Sequence, residues 1–457
     1  MEMSQPSDHE PEQTFGNKDG SGWRPIHYLG SKLRVLHTLE EAIDSVSPQG
    51  APVCDLFSGS GTVSAWLARS RPVTAVDIQE YSRFICGALL NPVDLSIQEV
   101  GGRLHEALTA SRISGVIQAA TSLIELEEAS LLRAQNGDPE GLASLIEAGP
   151  IITSNKGSAG MEIRRAFSEC KKRIVETLDG NSRSTMALRH FGGAYFSFRQ
   201  AAELDVILET ASGMPEEQRI VMIAAALATA SEIVNTVGKQ FAQPLRPRDK
   251  SGNVKKSLYN QVARDRYKST FDTYLDCLKK FSQPKISRFD HRAIRSDYSD
   301  FLTSSEFHES VVYADPPYTR DHYSRFYHVL ETLALRDDPK VSTNTAHGET
   351  RPSRGVYRVD RHQSPFCIRS QAPVAFEQLF SKVAARKIPL VLSYSPYASE
   401  KNAHPRVMQI DGIRQIAKQY FTFVDVESVG KFSHSRLNKA ELNKEVSRDA
   451  EFLFICH

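Results

Sequence analysis

Short apolar runs alternate with helical spacings in the first hundred residues, a pattern typical of an α/β fold. Residues 32–46 carry large aliphatic side chains at intervals of three and four, which predicts a helix. Residues 53–57 and 72–77 are apolar runs of strand length, and residues 62–68 between them have helical spacing. Strand, turn, helix and strand in this order predict half of a doubly wound α/β sheet.

The pattern changes after the second strand. Apolar side chains recur at helical periods through residues 96–284 and no strand-rich stretch appears, so we expect a large, mainly helical insertion. Its run of small apolar residues, Ile220–Ala230, is far shorter than the roughly 20 residues that a membrane-spanning helix needs. The first 22 residues are polar and acidic, and we expect a disordered tail there.

Strand-like apolar runs return after the insertion, which predicts that the sheet is completed there. Residues 23–95 and 285–457 are therefore expected to form one α/β domain that the insertion interrupts. The predicted late strands are residues 311–314, 389–394, 421–426 and 451–456.

Composition and charge exclude several classes of protein. The 457 residues are 40% hydrophobic and 24% charged, as in ordinary globular proteins, and the net charge is +1. A uniformly basic nucleic-acid coat protein is excluded, although a locally basic face is not. Six scattered cysteines without a CxxC or Cys/His cluster indicate buried small hydrophobes in a reducing cytoplasm, and no metal site. The polar N-terminus carries no secretion signal, so we expect a cytoplasmic protein without membrane contact.

Basic residues concentrate in two segments, which we interpret as candidate nucleic-acid surfaces. Residues 239–268 hold nine Lys and Arg against two Asp, and residues 351–369, a predicted loop, hold five Arg against Asp360. A solvated charged surface is the alternative for each segment. The candidate DNA-binding side chains are Lys239, Arg246, Arg248, Lys250, Lys255, Lys256, Arg264, Arg266, Lys268, Arg351, Arg354 and Arg358.

The turn after the first strand, residues 55–62, reads Asp-Leu-Phe-Ser-Gly-Ser-Gly-Thr. Its glycines permit a sharp turn and let a ligand lie against bare backbone, at a helix start that favours an anionic group. The turn lacks the third glycine of a dinucleotide fingerprint and the Gly-Lys-Ser/Thr of a phosphate loop. Asp77 ends the next strand, where an acid in a nucleotide-type fold accepts hydrogen bonds from both ribose hydroxyls. A solvated aspartate is the alternative.

A second motif, Asp315-Pro316-Pro317-Tyr318, directly follows an apolar strand. The two prolines end the strand and stiffen the backbone, which presents the Asp315 carboxylate and the Pro316 carbonyl as two acceptors beside the flat face of Tyr318. Two acceptors and a stacking ring suit an exocyclic amine on a planar base, whereas an ordinary turn with a buried tyrosine is the alternative. The aromatic residues of segment 322–328 either form the wall of a base pocket or belong to the core.

These motifs and their order resemble the D12-class, Dam-like DNA adenine-N6 methyltransferases. The resemblance covers residues 24–95 and 285–457, and it includes the sequence Tyr-Leu-Gly-Ser-Lys at residues 28–32. It implies an α/β, Rossmann-like S-adenosylmethionine-dependent methyltransferase sheet, with target recognition in the insertion. The cofactor-binding residues that it implies are Tyr28, Gly30, Lys32, Asp55, Phe57, Ser58, Gly59, Gly61, Thr62, Asp77, Asp297 and Tyr298.

The resemblance also implies direct methyl transfer to N6 of an adenine flipped out of double-stranded DNA, with no metal. Its catalytic residues are Asp315, Pro316, Pro317 and Tyr318. A restriction-modification or phage-defence context with partner proteins, and a nucleoid-associated location in a prokaryote, are further expectations. The alternatives are a cytosine-N4 DNA enzyme, an RNA adenine enzyme and a catalytically silent DNA-binding relative; Asp315, rather than Ser or Asn, favours adenine in DNA.

Overall fold

A computed structural model describes most of the chain. The described residues are 23–27, 32–109, 111–154, 160–178, 180–282, 288–318, 323–346, 349–395, 407–429 and 451–457. The predicted tail, residues 1–22, and the predicted cofactor residues Tyr28 and Gly30 lie outside the described residues.

The strands of the described segments form a large sheet and a separate hairpin. They are β1 (Val53–Leu56), β2 (Val73–Asp77), β3 (Arg292–Arg295), β4 (Val311–Ala314), β5 (Thr343–Ala346), β6 (Glu349–Pro352), β7 (Leu390–Tyr394), β8 (Val424–Val429) and β9 (Glu451–Cys456). The large sheet has the order β3-β2-β1-β4-β7-β9-β8, and β5 pairs with β6 in the hairpin. In the large sheet β9 runs antiparallel to both neighbours, and the other pairs are parallel.

The central strands are short apolar runs because both faces of the sheet are covered. Every residue of β1, β4 and β7 is buried, and these strands lie where the sequence predicts them. Strand β3 was not predicted, because this edge strand has the sequence Arg-Ala-Ile-Arg and lacks an apolar run. The strand predicted at residues 421–426 instead runs from Val424 to Val429. The hairpin of β5 and β6 was also missed, because the residues of β6 are exposed and polar.

Helices cover both faces of the sheet and fill the predicted insertion. They are α1 (Leu36–Val46), α2 (Thr62–Leu67), α3 (Glu80–Leu90), α4 (Ile97–Thr109), α5 (Ser111–Gln135), α6 (Glu140–Ala148), α7 (Met161–Leu178), α8 (Met186–Phe191), α9 (Phe198–Ser212), α10 (Glu216–Ile233), α11 (Leu258–Arg266), α12 (Thr270–Phe281), α13 (Tyr298–Thr303), α14 (Tyr323–Leu335), α15 (Ala372–Ala385) and α16 (Ile410–Ala417). No strand occurs among the described residues between β2 and β3, which agrees with the predicted helical character of this segment.

The helical segment packs directly onto the helices of the sheet. Helix α10 is buried along almost its whole length, which explains why its sequence is a run of small apolar residues. One core cluster joins α10 to Phe84 of α3, Tyr274 of α12 and Leu330 of α14. Because α14 follows the Asp-Pro-Pro-Tyr motif in the chain, the helical segment supports an element that stands next to that motif.

The cysteines behave as the sequence predicts. All six are buried free thiols, so they contribute as small hydrophobic side chains. Within the described segments, no group of three or more His, Cys, Asp and Glu side chains is arranged to hold a metal ion. The helices of these segments are also too short or too polar to cross a membrane.

Candidate active site

The glycine-rich turn and the Asp-Pro-Pro-Tyr motif meet at the carboxyl ends of β1 and β4. These strands are parallel neighbours, with Leu56 opposite Ala314. The Asp315 N–H donates a hydrogen bond to the Leu56 carbonyl at 3.4 Å. In an open parallel sheet, a ligand crevice forms outside the strand ends where the strand order reverses, which here is the β1–β4 boundary.

An open cavity of about 1030 Å³, a volume that includes its solvent-open mouth, lies at this edge. Residues 362–365 form part of its wall and were not predicted, because a polar loop carries no local signal of the cavity that it joins. The predicted site residues that line the cavity are Phe57, Asp77, Asp297, Tyr298, Asp315, Pro316, Pro317 and Tyr318.

The glycine-rich turn requires left-handed backbone at three positions. Phe57, Gly59 and Gly61 have φ angles of 62°, 53° and 72°, which glycine adopts at little cost and phenylalanine only under strain. A Cβ atom on Gly61 would lie 2.9 Å from Leu89 Cδ1 and 3.1 Å from Cys86 Sγ. Gly61 therefore permits the close approach of the turn to α3, and it does not line the cavity.

Asp77 holds the turn while it faces the cavity. Its Oδ2 accepts a hydrogen bond from the Gly59 N–H at 3.0 Å, and its Oδ1 accepts one from the Gln79 N–H at 2.9 Å. Burial raises the pKa of this carboxyl group. Each carboxylate oxygen retains acceptor capacity, so Asp77 can also accept from two hydroxyl groups of a bound ligand.

Three aromatic rings pack together near Asp77: Phe57 and Tyr298 line the cavity, and the buried Phe366 lies behind them. The Phe57 ring centroid lies 5.3 Å from that of Tyr298 and 5.4 Å from that of Phe366. Asp297 caps α13 by accepting a hydrogen bond from the Ser299 N–H at 2.8 Å. Burial lowers the pKa of His362 on the same cavity wall, while Asp297 acts to raise it. This corner therefore combines apolar ring faces with polar side chains.

Asp315 is joined to a buried lysine and to a second acid. Lys32 Nζ lies 3.1 Å from Asp315 Oδ1 and also contacts the carboxylate of Glu451, to which the Ser393 hydroxyl donates. Burial raises the pKa of Asp315 to about 6, with Lys32 acting to lower it and Glu451 to raise it. Burial acts to lower the pKa of Lys32, but the two carboxylates hold it well above its ordinary value. Lys32 thus lies behind Asp315 and does not line the cavity.

Tyrosine rings surround the Asp-Pro-Pro-Tyr corner. The Tyr318 ring centroid lies 5.1 Å from that of Tyr394, and Lys32 Nζ lies 5.7 Å from the Tyr318 centroid. Tyr323 and Tyr327 of α14 also line the cavity. Since Tyr327 is buried and stacks on Tyr81 at 5.5 Å, the aromatic segment after the motif serves both as cavity wall and as core.

Several predicted cofactor residues lie behind the cavity wall. Asp55 is buried, accepts a hydrogen bond from the Ser64 hydroxyl in α2, and has its pKa raised to about 7 by burial. Ser58 Oγ lies 3.3 Å from Ser82 Oγ, and Thr62 Oγ1 lies 2.9 Å from Ser60 Oγ. These contacts fix the turn in place, and none of the three predicted residues lines the cavity.

The structure corrects the prediction that Arg266 contacts DNA. Arg266 is buried, forms an ion pair with Glu127 of α5 and donates to the Gly193 carbonyl. Burial raises the pKa of Glu127, and Arg266 acts to lower it. Glu127 is distant in the sequence, so the charge pattern of residues 239–268 gave no sign of this internal pairing.

Other predicted phosphate contacts are also bound within the protein. Two of them donate to backbone carbonyls: Lys255 to that of Arg246, and Lys268 to that of Glu232. The others form ion pairs: Lys239 and Arg264 with Asp265, Arg248 with Glu140 and Glu147, Arg351 with Glu349, and Arg358 with Asp337 and Asp360. Because Arg358 is buried as well as paired, the prediction that it contacts DNA is wrong. Four exposed members form no ion pair with any described carboxylate and stay candidates: Arg246, Lys250, Lys256 and Arg354.

A mostly parallel sheet with both motifs at one cavity is the arrangement expected of a methyltransferase. The model of the D12 class N6 adenine-specific DNA methyltransferase family matches residues 28–113 and 254–381, which confirms the resemblance inferred from the motifs. The modification methylase LlaI of Lactococcus lactis subsp. lactis is 27% identical to this chain over 158 residues. That match covers 33% of this chain and 22% of the relative, so the chain aligns with about a fifth of the length of LlaI.

The internal placement of Arg266 predicts a large effect on stability. Arg266→Met is expected to lower the free energy of unfolding by about 3–5 kcal/mol, because it leaves the Glu127 carboxylate buried without its partner. Urea unfolding followed by circular dichroism measures the change.

Arg199→Met is the matched control for Arg266→Met. It removes the partner of the adjacent Glu128, and the side chains of that pair are 49% and 56% exposed, so the expected loss is about 0–1 kcal/mol. Equal losses in the two variants contradict a buried ion pair at Arg266.

Proposed function

We propose that this protein is a DNA methyltransferase that transfers a methyl group from S-adenosylmethionine to N6 of an adenine flipped out of duplex DNA. The observation that carries the proposal is the single cavity shared by the Asp315 corner and the Phe57–Asp77 region. The family match and the similarity to a modification methylase support DNA as the substrate. The reversal of strand order at β1 and β4 supports a Rossmann-like methyltransferase sheet.

The residues around Asp77 fit the nucleoside part of S-adenosylmethionine. The Asp77 carboxylate would accept from the two ribose hydroxyls, and the rings of Phe57 and Tyr298, which line the cavity, offer apolar contact to a purine. When bound, the cofactor supplies an electrophilic methyl group on a sulfonium. Helix cap Asp297 stands beside these rings and would hold a polar edge of the purine.

The Asp315 corner supplies acceptors for the target amine. The Asp315 carboxylate and the Pro316 carbonyl accept its N–H groups, which concentrates the lone pair on nitrogen, while Tyr318 contacts the base. Pro316 and Pro317 restrict the backbone, so the acceptors are held in place before the base arrives. The position of these groups inside a cavity supports a flipped base, because a base paired in a duplex could not reach them.

Two arginines beside the cavity extend the proposed DNA surface. The guanidinium groups of Arg325 and Arg361 lie 5.6 Å and 4.9 Å from the ring centroid of Tyr357. Arg325 adjoins the cavity residue Ser324 in the chain, and Arg361 adjoins the cavity residue His362. Neither arginine forms an ion pair with a carboxylate of the described segments. Arg361 Nε donates to the Arg358 carbonyl, which leaves its other guanidinium N–H groups, and the guanidinium of Arg325, available to a phosphate near the flipped nucleotide.

Like charges are held close together on this surface. Burial lowers the pKa of Arg361, and Arg325 lowers it further. Burial and Arg246 likewise lower the pKa of Arg354, whose guanidinium donates to the Leu245 carbonyl. Clustered cations favour a polyanionic partner, because its binding relieves their mutual repulsion.

The similarity to a modification methylase supports a restriction-modification or defence context, with partner proteins of such a system. A cytoplasmic, nucleoid-associated location follows from a DNA substrate. An RNA adenine or cytosine-N4 enzyme is the competing proposal, and identification of the methylated nucleoside decides between them.

Asp315→Ala is expected to lower the rate of methyl transfer at least about a hundred-fold, because it removes an acceptor that acts on the target amine. Cofactor affinity should change little, since Asp77 and the aromatic wall remain. Labelled-methyl transfer to duplex DNA, followed by mass spectrometry of the nucleosides, measures both the rate and the modified base.

The exposed Asp300 in the first turn of α13 provides the control for Asp315→Ala. Asp300→Ala should transfer methyl groups at the wild-type rate. Equal rates for the two variants, or methylation of a base other than adenine, contradict the assigned role.

The pH dependence of the reaction should follow the ionisation of Asp315. Because the raised pKa of this group is about 6, its charged form disappears as the pH falls through that value, and the rate should fall with it. Initial rates at saturating cofactor between pH 5 and pH 8 give the profile. A rate that stays constant from pH 8 down to pH 5, as expected of an aspartate with the ordinary pKa of about 3.9, contradicts this assignment.

Replacing both Arg325 and Arg361 by alanine should weaken DNA binding and reduce its salt dependence. The slope of log Kd against log salt should fall by about 0.9 for each lost phosphate contact. Fluorescence anisotropy with a labelled duplex at several salt concentrations measures it. Arg173→Ala is the control, because that half-buried arginine is paired with Glu169 on α7; an equal change there contradicts a local DNA surface.

A further inference from the structure

We propose that Glu451 is a positioning residue for the catalytic acid: by holding the Lys32 ammonium, it fixes the Asp315 carboxylate and keeps it basic enough to accept a proton. The inference rests on the proposed function of Asp315. Glu451 lies outside residues 28–113 and 254–381, which the family model matches, and no sequence motif pointed to it.

The sheet brings Glu451 to the site because β9 runs against its neighbours. Glu451 is the first residue of β9 and therefore lies at the edge where the parallel strands β4 and β7 end. Glu451 is 5% exposed, and its carboxylate accepts hydrogen bonds from both Lys32 and the Ser393 hydroxyl of β7. Lys32, 4% exposed, contacts both acids through the same nitrogen.

A single ammonium group therefore serves two carboxylates. The arrangement carries one excess negative charge, which opposes the ionisation of Asp315 and leaves it a stronger proton acceptor than an aspartate paired with its own lysine. Methyl transfer leaves one excess proton on the amine nitrogen. An acceptor that titrates near neutral pH, beside the amine, is suited to take that proton.

Other groups that face Asp315 come from β1, β4, α14 and the loop after β4. Asp55 of β1 is an acid whose pKa is raised by burial, by Asp315 and by Asp77. Tyr313 of β4 and Tyr323 of α14 are phenols whose pKa values burial and Asp315 raise. Tyr318 stands over Lys32. Lys32 contacts Asp315 directly, and Glu451 contacts the same lysine nitrogen, so these two charged groups act on the pKa of Asp315 more strongly than the neighbours named above.

The decisive experiment compares the pH profiles of methyl transfer for the wild type and Glu451→Gln. Glutamine keeps the size and an acceptor oxygen but removes the charge, so Lys32 then stabilises the Asp315 carboxylate alone. The acid limb of the kcat/KM profile should move down by about one pH unit. Glu427→Gln, an exposed glutamate on the adjacent strand β8, is the matched control and should leave the limb in place.

A titration of the carboxyl group itself separates this inference from the proposed function. In protein labelled with carbon-13 at aspartate carboxyls, the Asp315 resonance is identified by its loss in Asp315→Asn. Its midpoint should be lower in Glu451→Gln than in the wild type. The titration needs no methyl transfer, so an inactive wild-type protein overturns the proposed function while the titration still tests the coupling.

Two further measurements decide the question even if Glu451→Gln does not fold. Lys32→Gln leaves both acids without their cation, so the Asp315 midpoint should rise. In the unmodified protein, a midpoint near the ordinary value of about 3.9 overturns the proposal. Unchanged midpoints in both variants overturn it as well, since a purely structural Glu451 would change stability without moving the titration.

Discussion

The parallel pairing of β1 with β4 is the constraint on which the site depends. It places the end of the first strand beside the end of the strand that carries Asp315, although the whole helical segment separates them in the chain. A shift of this pairing by one residue would turn Asp315 to the other face of the sheet. The fully buried residues of both strands fix the register, so the packing of the core determines the geometry of the cavity.

The sequence predicted those parts of the site that are local in the chain. Apolar runs identified β1, β2, β4 and β7, and the proline and glycine motifs identified the turns that follow two of them. The cavity wall was only partly predicted, because the packing of Phe366 behind Phe57 and the place of His362 in the wall depend on tertiary contacts that no local pattern reveals. Strand β3 was missed for a related reason, since an edge strand with arginines at both ends has no apolar signature.

Charge was the least reliable signal, and the reason is physical. A basic side chain is available to a phosphate only if it is not already paired with an acid of the same protein. Arg266 is paired with Glu127, and Arg358 is paired with Asp337 and Asp360, so neither arginine is available to DNA. Arg325 stands in a segment judged by its aromatic residues alone, and its position next to Tyr357 depends on the fold. Glu451 was not predicted for the same reason, because its partner Lys32 is distant in the sequence.

The interruption of the sheet by helices has a consequence for how the chain reaches its native state. Helices α4 to α12 make many contacts between near neighbours in sequence, whereas the β1–β4 and β7–β9 pairings close very long loops. Loop closure costs entropy before any distant contact compensates for it, so the pairings of high contact order are the slow steps. Contact order therefore predicts that the cavity forms late in folding, after the local contacts among these helices.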